Sequence, residues 1–329
     1  MKTKTIEATA YRYTRYGDAD VLKAHVFPLD PPLPGEVTVE VIATGINHME
    51  AFLRNGREQT WMDDGWPRSS GSDFTGVVRA VGPGGRLSRG DEVIGHVRTG
   101  AHATHLNVAE SRLVAKPRTL TWEAAGGLFL AGATATTVLD DLSIGPDDTV
   151  VVSAAAGGVG SIEAQLAKSR GARVIGTCGD RNFDYLRQLG IHPVRYGDGM
   201  VDRIRQAARG PVTAYIDNFG KDGAEIAAAL DVPAERHLSS AGRRQVELDL
   251  LSDGPEAVAR ATEILRTVAG LAASGAFRTL VSGLYPLDEI TAAYEDLERL
   301  HSRGKIVLAT HPVTPFSMLR ARELFETMP

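Results

Sequence analysis

The first third of the chain is built from short alternating runs. Val37-Thr38-Val39-Glu40-Val41-Ile42 sends polar and apolar side chains to opposite faces of an extended backbone, and it follows the turn signal Pro34-Gly35. Phe74-Thr75-Gly76-Val77-Val78-Arg79-Ala80-Val81 reads as a further strand, stopped by Gly82-Pro83-Gly84-Gly85. Asp91-Glu92-Val93-Ile94-Gly95 and His105-Leu106-Asn107-Val108 continue the pattern, which predicts a β-rich, barrel-like module.

From about Trp122 the period changes. Strands are expected at 150–155, 172–177, 193–196 and 212–217, and helices at 161–170, 181–189 and 201–208, between and after them. Strand and helix in alternation point to a doubly wound parallel sheet. A long helix is expected at 255–274, a strand at 278–281, a helix at 287–300, a strand at 305–308 and a terminal helix at 314–327.

The stretch VVVSAAAGGVGS, residues 150–161, joins the two periods: β-branched residues run into a glycine cluster that opens a helix. Its spacing is Ala155-x-Gly157-x-x-Gly160, a dinucleotide fingerprint with alanine in the first glycine position. Gly157 would let the backbone approach a pyrophosphate, and Gly160 would let the helix pack close to the sheet. The N–H groups of the first helical turn, from Gly158 and Val159 onward, would then face the phosphates with the helix dipole behind them. Taken alone, the spacing also fits a tight strand-to-helix turn.

An NAD-type site would place an acid at the end of the second strand. Here that strand ends Gly176-Thr177-Cys178-Gly179-Asp180-Arg181. Thr177 or Cys178 holds the acid position, and Arg181 is placed to grip a 2′-phosphate, which favours NADPH. Asp180 either binds ribose or pairs with Arg181.

Composition narrows the classes without choosing among them. With 36 Lys and Arg against 41 Asp and Glu, the net charge of −5 gives no reason to expect a nucleic-acid or membrane partner. One cysteine, Cys178, excludes an internal disulfide and any zinc site with two thiolates. MKTKTIEATAYRY at the start has no apolar signal core, and no run approaches the roughly twenty apolar residues of a bilayer span, so a cytoplasmic protein is expected.

AAAGGVGS (154–161), DFTGVVRAVGPG (73–84), AGATATT (131–137), YPLDEITAAYEDL (285–297) and RGKIVL (303–308) together carry a resemblance. The chain resembles the zinc-independent, quinone-oxidoreductase-like branch of the medium-chain dehydrogenases/reductases. The resemblance implies a GroES-like catalytic domain at 1–122, a Rossmann NADPH-binding domain at 123–275, and a return segment at 276–329 that completes the catalytic domain. It also implies a homodimer and an α/β fold. Metal-dependent relatives have cysteine where this chain has Asn47, and Gly-His-Glu where it has Gly71-Ser72-Asp73, so no metal is expected. An improvised site from His48, Glu50, Asp73 and His102 is the one alternative.

By the same resemblance Asn47 lies beside the nicotinamide. Thr134 contacts the nicotinamide at the domain junction, Val159 packs on the ring, and Tyr196 lies near the adenosine phosphate. Asn218 and Ser240 end successive strands of the parallel sheet, where ligands bind. Relatives have a tyrosine near Phe52, which has no proton to give; His48 is the nearest titratable substitute, with His102 and His105 as further candidates. The two tryptophans of the loop at 59–67 either line the substrate cleft or pack in the core. The implied reaction is hydride transfer from NADPH to a quinone or to the activated C=C of an α,β-unsaturated carbonyl compound. A non-catalytic NADPH-binding sensor or structural protein, and a reductive cyclisation on the same fold, are the alternatives.

Overall fold

The structure, a computed structural model, describes residues 6–62, 65–299 and 302–311. The elements run β1 (Ile6–Tyr13), β2 (Lys23–Leu29), β3 (Glu36–Gly45), α1 (His48–Arg54), β4 (Arg68–Ser69), β5 (Asp73–Val81), β6 (Glu92–His96), β7 (His105–Ala109), β8 (Leu113–Ala115) and α2 (Trp122–Gly126). Next come α3 (Phe129–Asp141), β9 (Thr149–Val152), α4 (Gly158–Ser169), β10 (Arg173–Cys178), α5 (Phe183–Gln188), β11 (His192–Arg195), α6 (Met200–Ala208), β12 (Ala214–Ile216), α7 (Gly223–Ala229), β13 (His237–Leu238) and α8 (Ser240–Leu250). The chain continues through α9 (Pro255–Ala273), β14 (Val281–Pro286), α10 (Ile290–Glu298) and β15 (Lys305–Ala309). Two compact units result: Met1–Leu130 with Leu250–Gly270 and Val281–Pro329, and Ala131–Asp249 with Leu271–Leu280.

In the first unit, β14-β15-β3-β5-β6-β8 form a sheet that β7 joins by pairing with β3, and β2-β1-β4 form a small second sheet. Val37, Val39, Val41, Phe74, Val78 and Val93 alternate inward and are wholly or almost wholly buried. Burial of each such side chain contributes roughly 1.5–3 kcal/mol. β15 runs antiparallel to β3, with Val307 opposite Gly45 and Leu308 opposite Thr44. Continued by two residues, that register sets Lys305 opposite Asn47.

The second unit holds five parallel strands in the order β11-β10-β9-β12-β13. Val150, Val151 and Val152 of the central β9 are fully buried, as expected of a strand covered on both faces. α6 lays Met200, Ile204, Ala207 and Ala208 against the sheet at helical spacing. Strand order reverses at β9 and β12, and crevices at the carboxyl ends of such strands are where ligands bind.

Several expected boundaries shift. The helix after the glycine cluster begins at Gly158 rather than 161, because the glycines themselves take helical geometry. The strand expected at 278–281 instead starts at Val281 and runs to Pro286. The helix expected at 287–300 begins with a tight turn at Leu287–Glu289, and α10 proper spans Ile290–Glu298. The terminal helix expected at 314–327 lies outside the described residues. No helix among the described residues is long and apolar enough to cross a membrane.

Candidate functional site

In the second unit the glycine cluster leaves β9 through Ala154, whose φ of 48° is a left-handed conformation that costs a non-glycine residue energy. Gly157 is the N-cap of α4, and its N–H donates to Ala154 O at 2.9 Å. A Cβ at Gly160 would stand 2.6 Å from that same oxygen, so the fold itself demands glycine there. At Gly157 a Cβ would meet only Ala154 O, at 3.3 Å, with nothing else within 4 Å. That glycine therefore keeps open a space that neighbouring atoms do not fill. Gly158, Val159 and Gly160, the first residues of α4, have no acceptor within the helix for their N–H groups. A diphosphate fits this turn as a polyanion facing donors and a helix dipole.

The ends of β9 and β12 are tied together beside the turn. Ser153 Oγ donates to Asp217 Oδ1 at 3.1 Å and accepts from Asn218 N at 2.8 Å and Phe219 N at 3.1 Å. The Asn218 amide donates to Ser153 O at 3.2 Å and to Glu163 Oε2 at 2.5 Å. Asn218 Oδ1, Glu163 Oε1 and Thr134 Oγ1 are buried with no hydrogen-bond partner, which is the condition expected of groups that a bound polar molecule satisfies. Burial raises the Glu163 carboxyl to about 7, against the Asn218 hydrogen bond and the Arg243 charge, which lower it; Glu247 adds to the rise.

The remaining expected nucleotide residues lie along the same edge of this sheet. Thr177 is buried near the end of β10, and its carbonyl accepts from Ala155 N at 3.1 Å. Arg181 is exposed in the turn after β10, and Tyr196 is 59% exposed after β11, its hydroxyl close to Gly179. Asp180 lies 3.5 Å from the Arg195 guanidinium. Arg195 was missed in the sequence, where it reads as one more surface arginine. Ser240 opens α8 after β13 and packs against the backbone at Gly220.

In the first unit, Asn47 is the N-cap of α1 and His48 its first residue, half-buried. Asn47 and Glu50 form the reciprocal arrangement of a capping box, with Asn47 N donating to Glu50 Oε2 at 2.8 Å. Asn47 Nδ2 donates to Glu50 Oε1 at 3.1 Å and also faces Asp73, while Asn47 Oδ1 accepts from Lys305 Nζ. Glu50 accepts in addition from Ser72 N at 2.9 Å, Ser72 Oγ at 2.7 Å and Tyr294 Oη at 2.9 Å. Lys305 Nζ donates to Ile46 O at 3.0 Å and stands 4.0 Å from Asp73 Oδ2. Burial raises the Asp73 carboxyl to about 6, with Lys305 pulling down and Glu50 pushing up.

This network accounts for several groups considered in the sequence. His102 is fully buried, between Ser70 Oγ at 3.1 Å and Gly45 O at 3.1 Å, and burial lowers its pKa. His105 is half-buried on β7 and likewise lowered by burial. Trp66 meets Tyr13 and Tyr16 edge-on with Arg68 over its face, and Arg98 covers Trp61, so both rings are engaged in packing. Among the described residues no three of His, Cys, Asp and Glu converge as metal ligands. Lys305 and Tyr294 were not singled out in the sequence. A lone lysine heading the apolar run Ile306-Val307-Leu308 was the available signal. Asn47-x-x-Glu50 carried the capping-box spacing.

A parallel sheet with an open glycine turn, in a chain that also holds a β-rich unit, defines the class of two-domain dehydrogenases and reductases. Residues 33–141 match the family described as "Alcohol dehydrogenase GroES-like domain", and residues 191–308 the one described as "Zinc-binding dehydrogenase". The chain is 32% identical over 238 residues to the quinone oxidoreductase of Salmonella typhimurium, covering 70% of this chain and 71% of that protein. It is also 32% identical over 319 residues to a mycocerosic acid synthase-like polyketide synthase of Mycobacterium tuberculosis, covering 89% of this chain but only 15% of that protein's length. The crystal structure of Escherichia coli quinone oxidoreductase complexed with NADPH superposes with a TM-score of 0.79 at 26% identity, covering 92% of this chain and 99% of that one. The chain belongs to the quinone-oxidoreductase-like branch of the medium-chain dehydrogenases/reductases, a family of oxidoreductases.

Proposed function

We propose that this chain is an NADPH-dependent oxidoreductase that delivers a hydride to a quinone, or to the activated C=C bond of an α,β-unsaturated carbonyl compound, without a metal ion. The observation that carries the reading is the open turn at Gly157–Gly160, with the unsatisfied Asn218 oxygen beside it and with Thr177 and Cys178, rather than an acid, ending β10 ahead of Arg181. The first-turn N–H groups of α4 hold the diphosphate, and Arg181 holds the 2′-phosphate. Bound NADPH supplies the hydride. The relative crystallised with NADPH supports the cofactor, and the quinone oxidoreductase relative supports a quinone acceptor.

The protein's own residues bind, orient and supply protons. Asn47 contacts the reacting molecules at the end of β3. His48, next along α1, is the candidate proton donor for an enolate, since Phe52 has no proton and His102 is sealed inside the fold. Reduction of a quinone needs no fixed acid, because solvent protonates the product. The test is to mix the protein with NADPH and a panel of quinones and enones and follow the absorbance of the reduced nicotinamide. Oxidation with at least one acceptor class is expected. Binding of NADPH with no oxidation across the panel would instead make the chain a nucleotide-binding sensor.

A further inference from the structure

We infer that Glu163 is a positioning residue that works through a proton: as a neutral acid it pairs with the Asn218 carboxamide in both directions and holds the turn after β12 to α4, and as a carboxylate it keeps half of that pairing. The inference rests on the function proposed above and deepens it, because it makes nucleotide affinity depend on one proton.

The count of donors carries the argument. Asn218 Nδ2 has two hydrogens, and both are engaged, by Ser153 O at 3.2 Å and by Glu163 Oε2 at 2.5 Å. Turning the amide over would set its oxygen against these two acceptors, so its orientation is fixed. Among the described residues, Asn218 Oδ1 and Glu163 Oε1 are then buried acceptors that no donor reaches. The Ser153 hydroxyl already donates to Asp217 Oδ1 at 3.1 Å. Arg243, on α8, is paired with Glu247 and makes no hydrogen bond to Glu163. A proton on Glu163 Oε1 supplies the missing donor. It closes a ring of two hydrogen bonds, the amide N–H to Oε2 and the acid O–H to Asn218 Oδ1. A carbonyl oxygen has two lone pairs, so Asn218 Oδ1 keeps one for the nucleotide.

Glu163 is 0% exposed, and burial raises its carboxyl to about 7; from α8, Arg243 lowers it and Glu247 raises it. Asp217, at the end of β12, is held by Ser153 Oγ and by the N–H groups of Phe219 and Gly220. The backbone of the turn is tied to Ser153 through Asn218 N and Phe219 N, and the Asn218 side chain links it to α4. Loss of the proton weakens that link. It also leaves a buried negative charge one turn along the helix from Gly160, whose neighbouring N–H groups would face the diphosphate. Both effects disfavour an anionic nucleotide. By reciprocity, nucleotide binding draws a proton onto Glu163.

The test uses Glu163→Gln, whose amide reproduces the neutral acid: its oxygen accepts from Asn218 Nδ2 and its N–H donates to Oδ1 at every pH. NADPH dissociation constants of wild type and variant are read by nicotinamide fluorescence from pH of about 6 to about 8.5. Their ratio cancels the nucleotide's own titration. Wild type over variant is expected to rise about tenfold across that range. Infrared spectra of the nucleotide-free proteins supply a second readout. A protonated-carboxyl band present in wild type and absent from Glu163→Gln is expected, fading as pH rises through about 7. A ratio that stays level, or no such band at pH of about 6, would overturn the inference. Failure of both proteins to bind NADPH at any pH would instead sink the function reading, and the infrared band alone then decides whether Glu163 carries the proton.

Discussion

In the β-rich unit Glu50 accepts hydrogen bonds from Asn47, Ser72 and Tyr294, and Lys305 is tied to Asn47 and Ile46. At the carboxyl ends of the parallel strands, by contrast, Asn218 Oδ1 and Glu163 Oε1 are buried without a partner. Both regions bury polar groups at a desolvation cost, but they offset it differently. The first offsets it within the fold and gains a fixed geometry. The second leaves part of it open, as the proposed nucleotide site requires. Asp73 Oδ2 is the exception in the first region: it has no hydrogen bond, and the nearest cation is Lys305 at 4.0 Å.

The largest effect should come from breaking the satisfied network. Glu50→Ala strands the donors of Asn47, Ser72 and Tyr294 together, and it should cost about 3–5 kcal/mol. Urea unfolding with an unchanged slope would read this as a lower midpoint. A loss under about 1 kcal/mol would mean the network is held by packing rather than by its hydrogen bonds.

Glu163→Gln tests the other region and should act in the opposite direction. The folded carboxyl titrates at about 7 instead of 4.5, so the folded state holds its proton more tightly than the unfolded chain does. Stability therefore falls as pH rises from 4.5 to about 7, and the penalty is fully present above that. Gln removes it and keeps an acceptor for Asn218, so the variant should be more stable than wild type by up to about 3 kcal/mol at pH near 8, with the gain vanishing below pH of about 4.5. Thermal melts across that range check it; a pH-independent difference would contradict the assignment.

The contrast between the regions explains how much was legible beforehand. The parallel sheet and its glycine turn could be read because β-branched runs, helical periods and glycine spacing are local. The β-rich unit was legible as strands, from alternation at 37–42 and 74–81. Its polar network was not, because the pairing of β15 with β3 brings Lys305 to Asn47, and Glu50 meets Ser72 and Tyr294 from elements distant in the chain. Glu163 went unremarked for a related reason. An acid in the second turn of α4 looks like a solvated helix position until the sheet covers it.

A smaller effect sharpens the nucleotide side. Arg181→Ala should weaken NADPH by about tenfold while leaving NADH nearly unchanged, since a charge-assisted bond to the 2′-phosphate is worth roughly 1.5–3 kcal/mol and NADH has no such group. Equal loss for both nucleotides would move the phosphate contact elsewhere, with Arg195 the nearest alternative.

The central claim is that the turn after β9 holds a pyridine nucleotide by its diphosphate. Calorimetric titration of the intact protein with NADPH and, separately, with NADH tests it most directly. Saturable, stoichiometric uptake is predicted, with NADPH the tighter by about tenfold or more. Absence of saturable heat for both nucleotides, or tighter binding of NADH, would contradict it.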